Sequence, residues 1–357
     1  MKKIENSDNF QNNELNDLLM QENNNNNDFS LDKLYICILV IIIFILTFFL
    51  ANEEKIKKKI NDQIEENFLS NLKRYIKKDA FLEPKVGLGV IGKKENKYAK
   101  EYVDHYKSIG FNHIFIYDNN DNDDESFEEV LSEDVSKNFV SIINYRGSKN
   151  KYKGRQFEAY IDCYEKNSKN YDWLAFYDFD EFLHLKNHKT IQEFVKEDKF
   201  NNCTNIKINW ITYSDNDLIY YENKPIEERF KTPLYDCGEN IHIKSLVKGH
   251  LSKNYWIGMW NPHTGHNNYP CCIPTGEKID SSTPFNSPPN YEYAYINHHT
   301  TKSLEEFIEK TKRGFPDHNV ILDEKYWKSR LEYFFSKNKK TKEKLDYIKK
   351  TLNIVIN

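Results

Sequence analysis

Glycine and proline are scarce in this chain of 357 residues, at 12 and 10. That excludes a collagen-like or linker-dominated protein. The six cysteines, at positions 37, 163, 203, 237, 271 and 272, form no Cys-x-x-Cys pair, which removes support for a zinc ribbon or a thioredoxin-type motif. They are too few for a disulfide framework, although a single bridge, Cys237 with Cys271 or Cys272, is compatible with their number. Neither sign of charge dominates: 51 Lys and Arg against 55 Asp and Glu leave a formal charge of −4. Bulk electrostatics therefore do not mark a nucleic-acid binder, and no nucleic-acid partner is expected. P-loop, HExxH and GxSxG patterns are missing, which argues against ATP hydrolysis, a zinc protease and a serine hydrolase. Aromatic residues, by contrast, are plentiful at 15%, enough to fill a core and line a pocket.

There is one long apolar run, which excludes a polytopic membrane protein. Leu34–Leu50 (LYICILVIIIFILTFFL) holds 17 uncharged residues, at the short end of the ~17–25 that a spanning helix needs. Residues 1–33 before it are polar and Asn-rich and are read as a disordered tail; 34–51 are expected to form a single transmembrane helix. Lys55, Lys57, Lys58 and Lys59 after the run outnumber Lys2, Lys3 and Lys33 before it, which leans towards a cytoplasmic C-terminal domain. Over 52–84, Ile56, Ile60, Ile64, Phe68, Leu72 and Ile76 recur every four residues. This is one apolar stripe on a charged helix, either a stem able to pair in a homodimer or a helix packed on the domain that follows.

From Lys85 the pattern changes. Val86–Ile91, His113–Asn119, Phe139–Tyr145, Trp173–Asp180 and Asn205–Tyr213 are short apolar, β-branched or aromatic runs, read as buried strands. Helical patterns lie between them, over Glu95–Ile109, Arg155–Asn167 and Thr190–Lys196. The alternation predicts an α/β fold with a mostly parallel central sheet, occupying 85–320. The chain then ends in helices over 321–357, and Ser303-Leu304-Glu305-Glu306 predicts a capping box at a helix start.

The sharpest chemical feature is Asp178-Phe179-Asp180-Glu181, directly after the apolar run WLAFY. Ligands of open α/β sheets bind beyond the carboxyl ends of strands. Two carboxylates one residue apart there suit Mn²⁺ or Mg²⁺ shared with a substrate diphosphate. Tyr117-Asp118-Asn119 follows HIFI in the same way, and Asp118 is placed to accept hydrogen bonds from a ribose or base. The loop Gly92-Lys93-Lys94-Glu95-Asn96 after the first strand is neither a GxGxxG turn nor a P-loop. Late in the chain, Asn261-Pro262-His263 and Asn297-His298-His299 offer imidazoles that could complete a metal shell. Cys163 falls inside a helical pattern and reads as buried. Asn202-Cys203-Thr204 is a single glycosylation sequon.

These pieces stand in a particular order. VGLGVIGKKENKYAKEYVDHYKSIGFNHIFIYDNND is followed by DWLAFYDFDEFL, NWITYSDNDLIYYENKPIEERF, HIKSLVK, NPH and INHHTTKSLEEFIEKTKRG. Over Lys85–Asp317 the set resembles the family 92 glycosyltransferases and their bacterial relatives of the family 2 type. The resemblance implies a GT-A-like nucleotide-sugar-binding fold with a DxD metal site. It makes Asp180 a ligand of Mn²⁺ (or Mg²⁺) and Asp178 a contact to the ribose or the metal. It puts Glu95 and Asp118 on the nucleotide side, Lys244 at the diphosphate, and His298 as a further metal ligand. His299 stands where relatives carry an aromatic, so the choice between His298 and His299 stays open. Relatives often carry glycine at the position of Asp217.

The implied function is a membrane-anchored transfer of a sugar from a nucleotide-sugar donor, such as UDP-galactose or a related UDP-hexose. The acceptor is a glycan or glycoprotein. An inverting transfer needs a carboxylate base on the acceptor side; Asp215 is the first candidate, then Asp217 and Glu181. The family implies a lumenal domain in the Golgi or endoplasmic reticulum, against the lysine count. Two other classes use the same features: a metal-dependent nucleotidyltransferase or diphosphohydrolase, and a non-catalytic carbohydrate-binding protein tethered to a membrane.

Overall fold

The computed structural model describes residues 31–51, 83–147, 154–251, 269–280, 283–314 and 322–356. Residues 52–82 of the expected stem, residues 1–30 of the expected tail and the Asn261-Pro262-His263 segment lie outside them. The chain divides into two units, 1–82 and 83–357.

In the first unit, helix α1 (Leu31–Ala51) covers the apolar run. Between Leu34 and Ile45 it exposes most of its side chains. The expected anchor thus has a helix in the right place. Among the described residues, however, no helix is long and apolar enough to cross a membrane.

The second unit alternates strands and helices. In chain order it runs β1 (Val86–Gly92), α2 (Asn96–Ser108), β2 (His113–Asp118), α3 (Glu128–Ser136), β3 (Val140–Asn144), α4 (Arg155–Asn167) and β4 (Trp173–Phe176). Then come β5 (Glu181–Leu185), α5 (Ile191–Val195), β6 (Asn205–Thr212), α6 (Ile226–Arg229), β7 (Ile243–Lys248), β8 (Cys271–Cys272), β9 (Lys278–Ile279) and β10 (Ala294–His298). Helices α7 (Leu304–Arg313), α8 (Glu324–Phe335) and α9 (Lys342–Leu352) close it.

Every residue of β1 and β2 is buried, as expected of strands covered on both faces. The sheet order is β3-β2-β1-β4-β7-β6-β10-β5. The first four strands are parallel. β7 runs antiparallel to both β4 and β6, and β10 is parallel to β6 with β5 antiparallel beside it. After β1 the chain builds outward through β2 and β3, then returns to lay β4 on the other side of β1. The order therefore reverses between β1 and β4, and ligand crevices of open α/β sheets form at such a point.

Two expectations need correcting. The strand expected over Trp173–Asp180 ends at Phe176, because Tyr177–Asp180 make a turn in which Glu181 N donates to Asp178 O at 3.0 Å. The disulfide joins Cys203 to Cys272, Cα to Cα 5.9 Å, and Cys237 and Cys271 are free thiols. The β6–β8 register sets Asn205 opposite Cys271 and Ile206 opposite Cys272. Neighbouring cysteines point to opposite faces of a strand, and only Cys272 faces Cys203. Gly87, Gly89 and Gly92 have GxGxxG spacing, but all three lie inside β1. A nucleotide-binding fingerprint sits at the turn into a helix; here no such turn is formed.

The predicted capping box exists: Ser303 accepts from Glu306 N while the Glu306 side chain reaches back to Ser303 N. Glu306 does more. Its carboxylate, 1% exposed, receives Arg229 through Nη1 at 2.7 Å and Nη2 at 3.0 Å, and the Tyr98 hydroxyl at 2.6 Å. Burial works to raise its pKa, but Arg229, Lys302 and Ser303 outweigh it and hold the group at about 2.

Removing one partner of such a pair leaves a buried charge uncompensated, so Glu306→Gln is expected to cost about 3–5 kcal/mol at neutral pH. The folded pKa lies below the ordinary carboxylate value of ~4.3. The contribution is therefore complete above that value and lost as pH falls towards 2. Denaturant titrations should show the gap between wild type and variant narrowing from pH 6 to pH 3; a constant gap would refute the charge-pair account.

Candidate active site

Acids collect at the carboxyl ends of three adjacent parallel strands. Glu95 follows β1, Asp118 ends β2, and Asp178, Asp180 and Glu181 follow β4. Tyrosines on α2 shape the last turn: Tyr102 donates to Tyr177 O at 3.0 Å and Tyr106 to Glu181 O at 2.8 Å. Between the acids, Phe179 stacks on Phe127 with ring centroids 5.3 Å apart. The two Asp side chains are thus presented from a turn whose backbone and central ring are held.

The acids are met by cations from elsewhere in the fold. Asp178 Oδ2 receives Lys244 Nζ of β7 at 2.8 Å, while Oδ1 accepts from Gln156 at 2.8 Å and Tyr160 at 3.1 Å, both on α4. Lys244 is also 3.3 Å from Glu181, whose Oε2 accepts from Asp178 N at 2.9 Å. Burial, partly opposed by Lys244 and reinforced by Asp178, pushes the Glu181 carboxyl up to about 8. Burial disfavours the charge on Lys244, but Asp178 and Glu181 overcome this and raise its pKa.

Asp180 faces Lys310 at 2.5 Å and Lys302 at 3.9 Å, with His298 Nε2 at 4.0 Å. Burial works against its charge, yet Lys310, Lys302 and His298 hold it well below the usual carboxylate range. Burial lowers His298 to about 4, so the imidazole is neutral near pH 7.

On the nucleotide side, Asp118 is buried and tied to Arg146 through Nε at 2.8 Å and Nη2 at 2.7 Å. Its other oxygen accepts from Asn120 N at 3.0 Å. Glu95 pairs with Arg313 of α7, which also bonds the carbonyls of Lys93 and Lys94 at 2.6 and 3.2 Å. The second Glu95 oxygen is buried without a hydrogen-bond partner among the described residues.

The two histidines separate clearly. His298 packs on Trp210, centroid to centroid 4.2 Å, and turns Nε2 towards Asp180. His299 lies among Tyr213, Phe182 and Phe230, at 4.7, 5.9 and 6.0 Å. It fills an aromatic slot, and its backbone N–H, not its ring, reaches Asp180 O at 2.9 Å. Of the pair, His298 is the one that faces the acids.

Of the acceptor-side candidates, Glu181 lies in this cluster, whereas Asp215 and Asp217 pair with cations of another element. Asp215, 2% exposed, pairs with Lys344 of α9 at 2.6 Å; Asp217, 48% exposed, pairs with Lys344 and Lys339 at 3.2 and 3.3 Å. Asp217 has φ +62°, a left-handed conformation that glycine adopts without strain. Here the ion pairs to Lys344 and Lys339 hold the aspartate in place. As for metal, among the described residues no three His, Cys, Asp or Glu side chains stand close enough to hold one ion. One oxygen of each expected ligand is taken up by an ammonium group, Asp178 Oδ2 by Lys244 and Asp180 Oδ2 by Lys310, so the residues as arranged do not fit a metal centre.

Sequence reasoning passed over Lys302, Lys310, Arg313 and Arg146. A signal was available for Lys310 and Arg313. Ser303, Glu306, Lys310 and Arg313 are spaced 3, 4 and 3 apart, which puts them on one helical face. A polar face on an otherwise amphipathic helix implies a polar partner. Arg146 carries no such signal, since it meets Asp118 only through the β2–β3 pairing.

Residues 90–329 match the sequence pattern described as Glycosyltransferase family 92. A stretch of 101 residues is 30% identical to "Glycosyltransferase family 92 protein Os08g0121900" of Oryza sativa subsp. japonica, covering 28% of this chain and 16% of the rice protein. The crystal structure of S. aureus TarS aligns over 71% of this chain and 44% of its own, with 10% identity and a TM-score of 0.32.

Gly92 tests how the acids are held. A Cβ there would lie 2.5 Å from Phe179 and 2.7 Å from Phe127. Gly92→Ala should cost about 1–3 kcal/mol by overpacking, read from denaturant unfolding. Adding Phe179→Leu should return part of the loss, because the smaller side chain yields space; full additivity of the two losses would disprove the contact.

Proposed function

This chain belongs to Glycosyltransferase family 92, and on that footing we propose that it transfers a sugar from a nucleotide-sugar donor to a glycan or glycoprotein acceptor. The donor is a UDP-hexose such as UDP-galactose, and the architecture is of the GT-A type. The observation that carries this reading is the set of acids at the carboxyl ends of β1, β2 and β4, at the reversal of strand order. Nucleotides bind at such points in α/β sheets.

In this reading the base and ribose lie over β1 and β2, where Asp118 and Glu95 are fixed by Arg146 and Arg313. The diphosphate lies towards Asp178 and Asp180. Departure of a nucleoside diphosphate builds negative charge on its phosphates. Preorganised positive groups aimed there lower the barrier, because they need not reorganise during the reaction. Lys244 is enclosed, at 1% exposure between Asp178 and Glu181. Its role is to hold the acid turn rather than to touch phosphate.

The acceptor glycan is assigned to the cavity of about 710 Å³ bordered by 233–239, Ser336 and Lys337. Tyr235 exposes its ring there. Tyr333 connects that wall to the site through Glu239 at 3.1 Å and Thr300 at 3.2 Å. A base on this side must be reachable. Asp217 has that exposure, and Asp215 gives up its carboxylate to Lys344.

The test is product release from a panel of UDP- and GDP-sugars with glycan acceptors. Nucleoside diphosphate should appear with one donor, and Asp180→Asn should slow it about 100-fold or more. Release of nucleoside monophosphate or pyrophosphate instead would identify a nucleotidyltransferase or diphosphohydrolase and overturn the transferase reading.

A further inference from the structure

The cavity of about 710 Å³ is framed by a short stretch of chain, 233–239, and by the end of α8. Hydrogen bonds fix that stretch. Leu234 N donates to Thr212 O, at the end of β6, at 2.8 Å, and Cys237 N donates to Leu234 O at 3.0 Å. The Asn240 side chain, in a residue 1% exposed, donates to Leu234 O at 2.8 Å and to Tyr235 O at 3.2 Å, and accepts from Thr212 N at 2.9 Å. Thr212 in turn lies opposite His298 in the β6–β10 register, and His298 faces Asp180. The wall of the cavity is therefore built onto a strand end that borders the acids. A wall ordered before its ligand arrives loses little further freedom on binding.

Two kinds of group stand on this wall. Tyr235 is 62% exposed, its ring centroid 6.3 Å from that of Tyr291. An exposed ring on a fixed backbone offers a flat apolar face at small entropic cost. Glu239, with 28% of its side chain exposed, is held at both oxygens: Oε1 accepts from Lys337 at 2.9 Å and Oε2 from the Tyr333 hydroxyl at 3.1 Å. An ionised carboxylate has about four acceptor sites, so these two bonds leave about two for a ligand. Lys337 is enclosed, 4% exposed, with its ammonium 3.4 Å from the centroid of the Tyr333 ring as well as beside Glu239. Asp236 adds a second carboxylate, which is exposed. The charge that meets a ligand here is negative. An apolar face beside hydrogen-bond acceptors suits a sugar ring, which has C–H faces and outward hydroxyls. A carboxylate carried by that sugar is repelled.

We propose that Tyr235 and Glu239 form the subsite for a neutral hexose of the acceptor. The Tyr235 ring packs on the C–H face of the sugar, and the Glu239 carboxylate accepts from its hydroxyls. Glu239 and Asp236 together turn away sugars that bear a carboxylate. This rests on the acceptor assignment above and names the class of sugar that the cavity takes.

The cavity carries its own reporter. Cys237 is a partly exposed free thiol on its wall; Cys37 of α1 is exposed, and Cys163 and Cys271 are buried. The full chain is treated with N-ethylmaleimide alone and with methyl galactoside, methyl glucoside, methyl galacturonide or methyl glucuronide. The last two differ from the first two by a carboxylate in place of a primary alcohol. Labelling is read at each cysteine by peptide mass spectrometry, and affinities for the same sugars by saturation-transfer NMR. The neutral glycosides should slow labelling of Cys237 and leave Cys37 unchanged; the uronides should bind about tenfold more weakly. Tyr235→Ala and Glu239→Gln should each weaken neutral-sugar binding about tenfold. Adding Asp236→Asn to Glu239→Gln should narrow the gap between glycoside and uronide. Equal affinity for the two classes overturns the charge filter. No protection of Cys237 by either neutral glycoside, or an unchanged affinity in Tyr235→Ala, overturns the subsite. Tyr235 is exposed, so its variant decides the matter even if loss of the Glu239 charge beside Lys337 disturbs folding. Labelling needs no turnover, which separates the two readings. Protection of Cys237 in a protein that transfers sugar from no donor keeps the subsite and removes the transferase; transfer without protection keeps the transferase and removes the subsite.

Discussion

A single buried carboxylate sets the geometry of the cationic side of the site. Glu306 closes the capping box of α7 and receives Arg229 and Tyr98 in the same enclosed volume. Arg229 comes from α6 and Tyr98 from α2, so three helices meet at one charge. A guanidinium taken out of water is costly unless its partner is present in good geometry, which ties the start of α7 to this point. Once that start is fixed, the helical repeat dictates the rest. Lys310 comes one turn after Glu306 and Arg313 nearly one turn later, both turned towards the ends of β1 and β4.

The opposite side of the site has the complementary problem. Asp178, Asp180 and Glu181 stand within four residues at the end of a buried strand, where like charges repel and water is largely excluded. The fold answers with cations from separate elements: Lys244 from β7, Lys302 from the loop before α7, and Lys310 from α7 itself. Glu181, with no exposure to solvent, keeps its proton to higher pH. His298, flanked by these charges and by Trp210, stays neutral. The acids are legible as a motif only because this network lets them survive in the interior.

Much of the domain could be read in advance. The strands over Val86, His113, Val140 and Asn205 and the helix over Arg155–Asn167 match their apolar patterns to within a residue or two, since burial on one or both faces is a local property. The strand at Trp173 was overextended because Tyr177 and Phe179 are as apolar as strand residues. They serve instead as a packed turn, a distinction that belongs to neighbours such as Gly92 and Phe127. The cysteine pairing failed for a related reason: spacing along the chain does not report which face of β8 looks at Cys203.

The amino-acid sequence by itself determined the α/β alternation, the position of the acids after β4, and the candidate imidazoles at His298 and His299. These follow from periodicity and from residue types that sit next to one another. Only the tertiary structure decided which charges meet. It set His298 rather than His299 against Asp180, enclosed Lys244, gave Asp215 to Lys344 from 129 residues further along the chain, and brought Lys310 to Asp180 across 130 residues. The physical reason is that an ion pair depends on distance through space and on shared burial. Neither is written in local patterning; both come from the order of the strands and the anchoring of α7.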